Sequence, residues 1–222
     1  WSNHDHVSKR FLVINRHKKQ QGIRRSFLKL WFRYFCLRLA EKLVATSCKF
    51  VLTVSATETE DYRAQIPTGN FELLPCSWSE EFSLINEKQW LKKNKLKMLH
   101  LGSLNSAVPY SSLLFILNEV FPLIDPSKLK QIEFYIVGPN DDGVYSKKIK
   151  TLSSNYENVH ITGFVENLKH HFDNSDIQLV GLQFPTGLRT RIIESFARGL
   201  PVLSTIEGAD GLYGLKNNEN IL

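Results

Sequence analysis

Two arginines, a glutamate and a glycine turn lie close together in the segment PTGLRTRIIESFARGLPVLST, residues 185–205. Arg189 and Arg191 open a predicted helix that follows Gly187 almost directly. The first turn of a helix has unpaired backbone N–H groups, and the helix dipole places partial positive charge at that end. The sequence therefore predicts an anion site at this helix end, and phosphate is the simplest anion to place there.

Glu194 adds a second kind of chemistry to the same helix. It lies five residues beyond Arg189, roughly one and a half turns, where its carboxylate can accept hydrogen bonds from sugar hydroxyls. A diphosphate and a ribose together make a nucleotide. An alternative stays open at this point, because Glu194 and Arg198 also have the i,i+4 spacing of an ordinary helical ion pair.

The helix itself must be held against a sheet. Its inward side is apolar, with Ile192, Ile193, Phe196 and Ala197. Gly199 suits a C-terminal cap, and Pro201 prevents the helix from continuing. Its amino-terminal end is therefore expected close to the edge of the sheet, where parallel α/β proteins bind their ligands.

From residue 97 onwards, apolar strands alternate with helices. The predicted strands are 97–104, 131–138, 158–165, 177–182 and 201–205, and the predicted helices between them are 111–123, 145–153, 166–174 and 189–198. Such alternation indicates a parallel sheet covered on both faces, a doubly wound α/β domain.

The first third of the chain has a different texture. A helix is predicted over residues 22–48, a strand over 49–55, a helix over 56–65 and a strand over 71–78, followed by a polar stretch at 79–96. The first 42 residues hold eleven basic residues against Asp5 and Glu41, a net charge of +9, whereas the remaining 180 carry −3. An anionic partner is therefore expected for residues 9–42, either a nucleic acid or an acidic membrane surface.

The helix at 22–48 has two interpretations. It can lie in the interface of an anionic bilayer, with Trp31 and Phe35 inward and the arginines outward. It can also pack its apolar side on a core, which is the commoner arrangement in globular proteins.

Composition limits the remaining classes. The 222 residues, 42% hydrophobic and 23% charged, suit one large or two modest globular cores. The three cysteines have no C-x-x-C spacing, so a disulfide framework and a zinc site are both unsupported, and a cytoplasmic setting is expected. Because Met98 is the sole methionine, we expect an interior piece of a longer protein.

Residues 185–212 resemble the signature helix of family 4 glycosyltransferases of the GT-B fold, with the general form G-x-R-T-K/R-I-x-E-x-x-A-x-G-x-P-V-x-S-T-x-x-G-A-x-G-L. Further segments are similar to other parts of that fold, namely HDHVSKR, SCKFVLTVSATET, FELLPCSW, LHLGSLNS, FYIVGPN and NVHITGFVENL. The resemblance implies two Rossmann-like domains. Residues 1–77 would be the end of the acceptor-side domain, and residues 78–222 the nucleotide-sugar-binding domain, incomplete at its end.

The resemblance also implies an activity. It is that of a retaining, metal-independent transferase of the hexosyl type, which moves a sugar from a nucleoside diphosphate to a glycan or a lipid-linked acceptor. No cofactor is expected besides the donor substrate, no nucleic-acid partner, and a location in the cytoplasm or at the inner face of its membrane.

Site roles follow from the resemblance residue by residue. Glu194 would bind the donor ribose, and His4 would contact the donor sugar or its phosphate. Phe164 and Val165 would lie near the base. The diphosphate would be held by Gly102, Thr186, Gly187, Leu188, Arg189 and Arg191.

The chain departs from the family pattern in two places. Thr186 stands where the first acid of a Glu-x7-Glu pair often lies, and LGSLNSAVPYSS lacks the usual basic pair. These departures leave open an inactive sugar-nucleotide-binding or scaffold protein of the same fold. The basic front segment leaves open a nucleic-acid-binding protein. His4 and His6 could alternatively ligate a metal, but no third ligand lies nearby in the sequence.

Overall fold

The computed structural model of this chain describes residues 26–76, 95–185 and 187–216, together with positions 2, 3, 8, 11, 12, 15 and 221. The chain divides into two compact units. The first comprises Trp1–Ser77, Phe184–Arg189 and Ala209–Gly214, and the second comprises Trp78–Gln183, Thr190–Gly208 and Leu215–Leu222. The division at 77/78 into an acceptor side and a donor side stays a prediction.

The first unit contains a three-stranded parallel sheet in the order β1-β2-β3. Its elements are β1 (Ser2–Asn3), α1 (Phe27–Ser47), β2 (Val51–Thr53), α2 (Ala56–Gln65) and β3 (Phe71–Leu73). The core consists of Ala45, Val51, Tyr62, Ile66 and Phe71. The predicted α2 is confirmed, and the Ser55 hydroxyl caps it by accepting a hydrogen bond from the Glu58 backbone N–H.

One carboxylate links three parts of this unit. Glu41 of α1 accepts hydrogen bonds from the backbone N–H of Ser8 at 2.9 Å and from its hydroxyl at 2.6 Å. Its Oε1 also accepts from the Tyr62 hydroxyl at 3.3 Å. The sole described acid of α1 is therefore structural.

Helix α1 presents apolar side chains on the side away from the core as well. Leu30 and Leu37 are half-buried, but Trp31, Phe32 and Phe35 are 57%, 64% and 52% exposed. Of the two interpretations of this helix, packing of its apolar side on a core does not account for these aromatic rings. No helix of the described residues is both long enough and apolar enough to cross a bilayer.

The second unit is built on a five-stranded, wholly parallel sheet in the order β6-β5-β4-β7-β8. Its strands are β4 (Leu96–Leu101), β5 (Ile132–Val137), β6 (Val159–Gly163), β7 (Ile177–Val180) and β8 (Val202–Ser204). Its helices are α3 (Ala107–Phe115), α4 (Pro126–Leu129), α5 (Val144–Ser153), α6 (Lys169–Asn174), α7 (Thr190–Ala197) and α8 (Ile206–Ala209).

Helices cover both faces of this sheet. On one face, Leu113 of α3 and Ile149 of α5 belong to the same core as Phe134 and Ile136 of β5. On the other face, Phe172 of α6 packs with the buried residues Leu99, Leu101, Val137 and Leu200. The predicted doubly wound α/β fold is confirmed.

The order in which strands are added to the sheet switches sides between β4 and β7. From β4 the chain adds β5 and β6 on one side, and then β7 and β8 on the other. Ligands of doubly wound folds bind beyond the carboxyl ends of the strands at such a switch point. The switch point lies between β4 and β7, so the residues that follow β4 stand beside the expected ligand position.

Two helices of the second unit begin three or more residues away from their predicted starts. The helix predicted from 111 begins at Ala107, because Pro109 lies in the first turn, where its missing N–H is not needed. That helix also changes character, to a π-helical turn at Ile116–Val120 and a 3-10 turn at Phe121–Leu123. The helix predicted from 166 begins only at Lys169, and α4 and α8 were not predicted.

Candidate functional site

Glycines end three neighbouring strands of the second unit. Gly102 follows β4, Gly138 follows β5, and Gly163 closes β6. The Gly102 N–H donates to the Val137 carbonyl at 2.9 Å, and the Gly138 N–H donates to the Gly163 carbonyl at 2.9 Å. The carboxyl edge of the sheet therefore carries no side chain at three successive strand ends, and we call these residues the bare edge.

Neither Gly138 nor Gly102 has room for a side chain. A Cβ on Gly138 would lie 2.2 Å from the Gly102 carbonyl oxygen, and the backbone there has a φ of +150°. A Cβ on Gly102 would lie 2.6 Å from Cβ of Pro109 and 3.2 Å from Nη1 of Arg191. Gly102 was predicted as a site residue from the sequence, whereas Gly138 and Gly163 were not, although Gly138 ends a predicted strand and Gly163 lies near the end of another.

Arg191 reaches from the first turn of α7 to the end of β4. Its Nη1 donates a 2.6 Å hydrogen bond to the Leu101 carbonyl oxygen. Loss of water around the guanidinium lowers the pKa of Arg191, and the nearby carboxylate of Glu194 opposes that shift. The guanidinium is thus fixed beside Gly102, where an anion at the bare edge would meet a positive charge.

His100 lies under this edge as a neutral side chain. It is buried, and its Nδ1 lies 3.1 Å from the Leu179 carbonyl oxygen. Because a carbonyl only accepts, Nδ1 carries the proton, and Nε2 has no hydrogen-bond partner among the described residues. Burial lowers the pKa of His100 to about 4, with the Leu179 contact opposing the shift and Arg191 adding to it. His100 is therefore a buried residue hydrogen-bonded to a neighbouring strand.

Helix α7 is seated on the sheet by a buried polar contact and a capped end. The Ser195 hydroxyl donates to Oε1 of Gln178 on β7, with both side chains buried. Gly199 has a φ of +69° and donates its N–H to the Phe196 carbonyl, while the Leu200 N–H donates to the Ser195 carbonyl. These two bonds form a Schellman motif, so the predicted Gly199 cap is confirmed.

Glu194 makes the ion pair that its spacing allowed. Nε and Nη2 of Arg198 donate to its Oε1 at 3.2 and 3.1 Å. The side chains of Glu194 and Arg198 are 11% and 15% exposed. The ionic interpretation of Glu194 is therefore correct for one of its two oxygens, and the ribose role stays a prediction.

The predicted base-binding residues differ in exposure. Phe164 follows β6 and is 71% exposed. Val165 is partly buried and packs on the cluster of Leu99, Leu101 and Val137. Only the Phe164 ring is therefore available for stacking, while Val165 fixes the backbone behind it.

The residues predicted just before α7 group with the first unit. Gly187 adopts a φ of +85°, and Nε of Arg189 donates to the Gly187 carbonyl at 3.1 Å. Within the same unit, a Cβ on Gly211 would lie 2.4 Å from the Ser55 hydroxyl oxygen and 3.8 Å from the Leu188 nitrogen. Thr186 and His4 lie outside the described residues, and all the site roles stay predictions.

No metal cluster is formed by the part of the chain that the structure describes. Within it, no group of three His, Cys, Asp or Glu side chains is placed to hold an ion. The pair His4 and His6 lies outside these residues.

The second unit, which carries this edge, matches a known protein family. The profile of the family described as "Glycosyl transferases group 1" matches residues 95–219, more than half of the chain. The chain belongs to this family. The narrower assignment to family 4 stays a prediction, and no curated protein matched the sequence.

Solved structures of glycosyltransferases share the fold. A glycosyltransferase from Rickettsia africae ESF-5 is 16% identical with a TM-score of 0.63, over 96% of this chain and 65% of that one. WaaG, involved in lipopolysaccharide biosynthesis, is 17% identical with a TM-score of 0.60, over 88% of this chain and 54% of its own. Anabaena HepE, in complex with UDP and glucose, is 18% identical with a TM-score of 0.57, over 77% and 48%.

These likenesses concern the fold, the Rossmann-like α/β architecture of GT-B glycosyltransferases. This chain spans less than two thirds of the length of each of the three proteins.

Proposed function

We propose that the protein is a retaining, metal-independent glycosyltransferase that takes a sugar from a nucleoside diphosphate donor. The observation that carries the proposal is the position of Arg191, whose guanidinium lies on the Leu101 carbonyl beside Gly102. This places a cation and a helix amino terminus at a bare backbone edge. Family membership and the UDP in the HepE structure support the same ligand class.

Sugar transfer from such a donor depends mainly on stabilisation of the leaving group. The bond between the sugar's anomeric carbon and the diphosphate oxygen breaks, and the electron pair leaves with the nucleoside diphosphate. Negative charge therefore develops on the diphosphate, where preorganised N–H groups and a guanidinium stabilise it best. Arg191 and the α7 dipole supply this without any rearrangement of the second unit.

Roles for the remaining residues complete the proposal. Glu194 binds the ribose hydroxyls and Phe164 stacks on the base. Thr186, Gly187, Leu188 and Arg189, which precede α7 in the chain, add backbone contacts to the diphosphate, and His4 contacts the donor sugar.

The acceptor is proposed to be a glycan or a lipid-linked sugar at the cytoplasmic face of a membrane, the donor sugar being a hexose. The supporting observation is the outward side of α1, which we call the α1 apolar face. Its members are exposed and recur at three- and four-residue spacing: Leu28, Trp31, Phe32, Phe35, Leu39 and Leu43. Lys29 and Arg33 flank this face, as in helices that lie in an anionic interface.

The second candidate is a protein that binds sugar nucleotides without turning them over. It is favoured by Thr186, where the family often has an acid, and by the segment 101–112, which lacks a basic residue. In that case the bare edge and Arg191 still hold a nucleotide.

Both candidates are tested with a panel of UDP-, GDP-, ADP- and CDP-sugars. Thermal unfolding identifies the donor, since a ligand at about 100 times its Kd adds roughly 2.7 kcal/mol. Donor hydrolysis and transfer are then measured for wild type, Arg191→Met and Glu194→Gln. The transferase predicts turnover that both variants abolish, with Lys169→Met unchanged. Binding without turnover supports the second candidate, and no stabilisation by any sugar nucleotide contradicts both.

A further inference from the structure

Helix α7 and the residue after it carry three charged side chains along one stripe. Arg191, Glu194 and Arg198 stand at i, i+3 and i+7, so they share one side of the helix. Arg191 is occupied at the β4 end by the Leu101 carbonyl. Glu194 therefore lies between two guanidiniums, of which only Arg198 makes a direct hydrogen bond to its carboxylate.

Arg198 engages one carboxylate oxygen of Glu194 and leaves the other. Both Nε and Nη2 donate to Oε1, at 3.2 and 3.1 Å. Oε2 accepts no hydrogen bond from any residue in the described parts of the chain. Because Arg198 holds the carboxylate through Oε1, Oε2 keeps a fixed direction and can accept hydrogen bonds from a ligand.

Arg198 is itself held from two directions. Its guanidinium carbon lies 4.7 Å from the centre of the Phe172 ring, and that ring is fully buried. Its backbone N–H donates to the Glu194 carbonyl at 3.0 Å, immediately before the Schellman motif at Gly199. The guanidinium therefore has little rotamer freedom left to lose when it orients Glu194.

This pair differs from an ordinary surface pair in the same unit. Lys169 and Asp173 have the same i,i+4 spacing, with Nζ and Oδ2 2.6 Å apart, but their side chains are 59% and 41% exposed. Arg198 and Glu194 are 15% and 11% exposed. Burial and the contact with the Phe172 ring fix the geometry of the Arg198–Glu194 pair. The exposed Lys169–Asp173 pair can exchange its mutual hydrogen bond for bonds to water.

We propose that Arg198 is a positioning residue that fixes Glu194 so that Oε2 accepts hydrogen bonds from the vicinal 2′- and 3′-hydroxyls of a nucleotide ribose. This inference rests on the proposed function, and it makes the site selective for ribonucleotides. The positive charge of Arg198 also offsets the repulsion between the Glu194 carboxylate and a bound diphosphate.

The test compares ligands that differ only in the ribose. Isothermal titration calorimetry is carried out with UDP, GDP, ADP and CDP, with their 2′,3′-dideoxy counterparts, and with inorganic pyrophosphate. Hydrogen bonds to a charged carboxylate predict that wild type prefers the ribonucleotide by ~10-fold or more. Arg198→Met is expected to reduce this preference to within ~3-fold while pyrophosphate affinity stays within ~3-fold of wild type.

Two further variants separate positioning from structure. Lys169→Met removes the surface pair and is expected to leave the ribose preference intact. Arg198→Lys keeps the charge but loses the planar donor fork, so it too is expected to lose most of the ribose preference. It replaces Arg198→Met in the test if that variant does not fold.

The outcomes are distinguishable. An Arg198 variant that keeps the full ribose preference overturns the inference. An equal loss of affinity for ribonucleotide, dideoxynucleotide and pyrophosphate also overturns it, because it would mark Arg198 as merely structural. A wild-type protein that binds nucleotides without ribose preference overturns the inference but leaves the proposed function standing. A wild-type protein that binds none of the probes overturns both.

Discussion

Nη1 of Arg191 donates a 2.6 Å hydrogen bond to the carbonyl oxygen of Leu101, a residue 90 positions earlier in the chain. This bond ties the first turn of α7 to the end of β4. Arg191→Lys keeps the charge but replaces a planar donor fork with a single ammonium. We predict roughly tenfold weaker nucleoside diphosphate binding by calorimetry, since a hydrogen bond to a charged group contributes about 1.5–3 kcal/mol.

The matched control for Arg191 is Arg63, whose Nη2 donates a 2.6 Å hydrogen bond to the Phe71 carbonyl in the first unit. Arg63→Lys is expected to reduce the free energy of unfolding without changing nucleotide affinity. Equal affinity losses in the two variants would show that Arg191 contributes only to stability.

The close approach of Gly138 to Gly102 predicts an unusually costly substitution. Gly138→Ala places a Cβ 2.2 Å from the Gly102 carbonyl oxygen, at a φ of +150°. Gly199 also has a positive φ, but nothing lies within 4 Å of its added Cβ. Left-handed backbone strain alone costs about 1–2 kcal/mol, and the overlap raises the loss for Gly138→Ala to about 3 kcal/mol or more.

Urea unfolding of Gly138→Ala beside Gly199→Ala measures that difference. Similar losses of unfolding free energy in the two variants would mean that the strands separate easily at this edge. That result would contradict a rigid backbone at Gly102 and Gly138.

His100 makes the stability of the second unit depend on pH. Its pKa is about 4 in the folded protein and about 6.5 in an unfolded chain. Between these values the unfolded chain binds a proton that the folded protein does not, so stability falls as pH decreases from about 6.5 to about 4. The shift corresponds to a loss of about 3 kcal/mol in the free energy of unfolding at acid pH. Above about pH 6.5 this loss does not occur, because His100 is neutral in both states.

Replacement of His100 by Phe tests this contribution. Unfolding free energies are measured by urea denaturation at several pH values between 7.5 and 4. The variant is expected to lose about 3 kcal/mol less than wild type over that interval. Parallel curves for the two proteins would show that His100 does not stay neutral in the folded state.

The α1 apolar face predicts binding to anionic membranes. Trp31 and Phe35 are stacked with ring centres 5.9 Å apart, and both rings are exposed. Trp31→Ser with Phe35→Ser is expected to lower partitioning into phosphatidylglycerol vesicles by roughly tenfold or more, because buried apolar area contributes about 25 cal/mol per Å².

Leu123 provides the control, since it is 87% exposed but belongs to the second unit and not to α1. Leu123→Ser is expected to co-sediment with vesicles as wild type does. Unchanged sedimentation of the double aromatic variant would contradict the membrane proposal.

Periodicity predicted much of this architecture because strands and helices of a doubly wound sheet have strong repeating patterns. The bounds of α2 and α5 and the cap at Gly199 follow from local chemistry and were predictable. The π-helical turn at Ile116–Val120 was not, because it depends on packing. There, a Cβ on Gly181 would lie 2.9 Å from Cγ1 of Ile116.

The candidate site was predictable in its residues and less so in its contacts. Spacing indicated both possible partners of Glu194, but only the fold shows that Arg198 engages one oxygen. The lowered pKa of His100 likewise depends on its burial in the folded unit and on Arg191, which is distant in sequence. The difference in exposure between Phe164 and Val165 also depends on the fold, because only Val165 packs on the buried cluster.

The most direct measurement is an NMR titration of the ¹⁵N-labelled chain with a nucleoside diphosphate, following backbone amides. Binding at the bare edge predicts saturable shifts at Gly102, Gly138 and Arg191 that are abolished by Arg191→Met. Shifts confined to the basic residues of α1, or no saturable shift with UDP, GDP, ADP or CDP, would contradict the assignment of this edge as the diphosphate site.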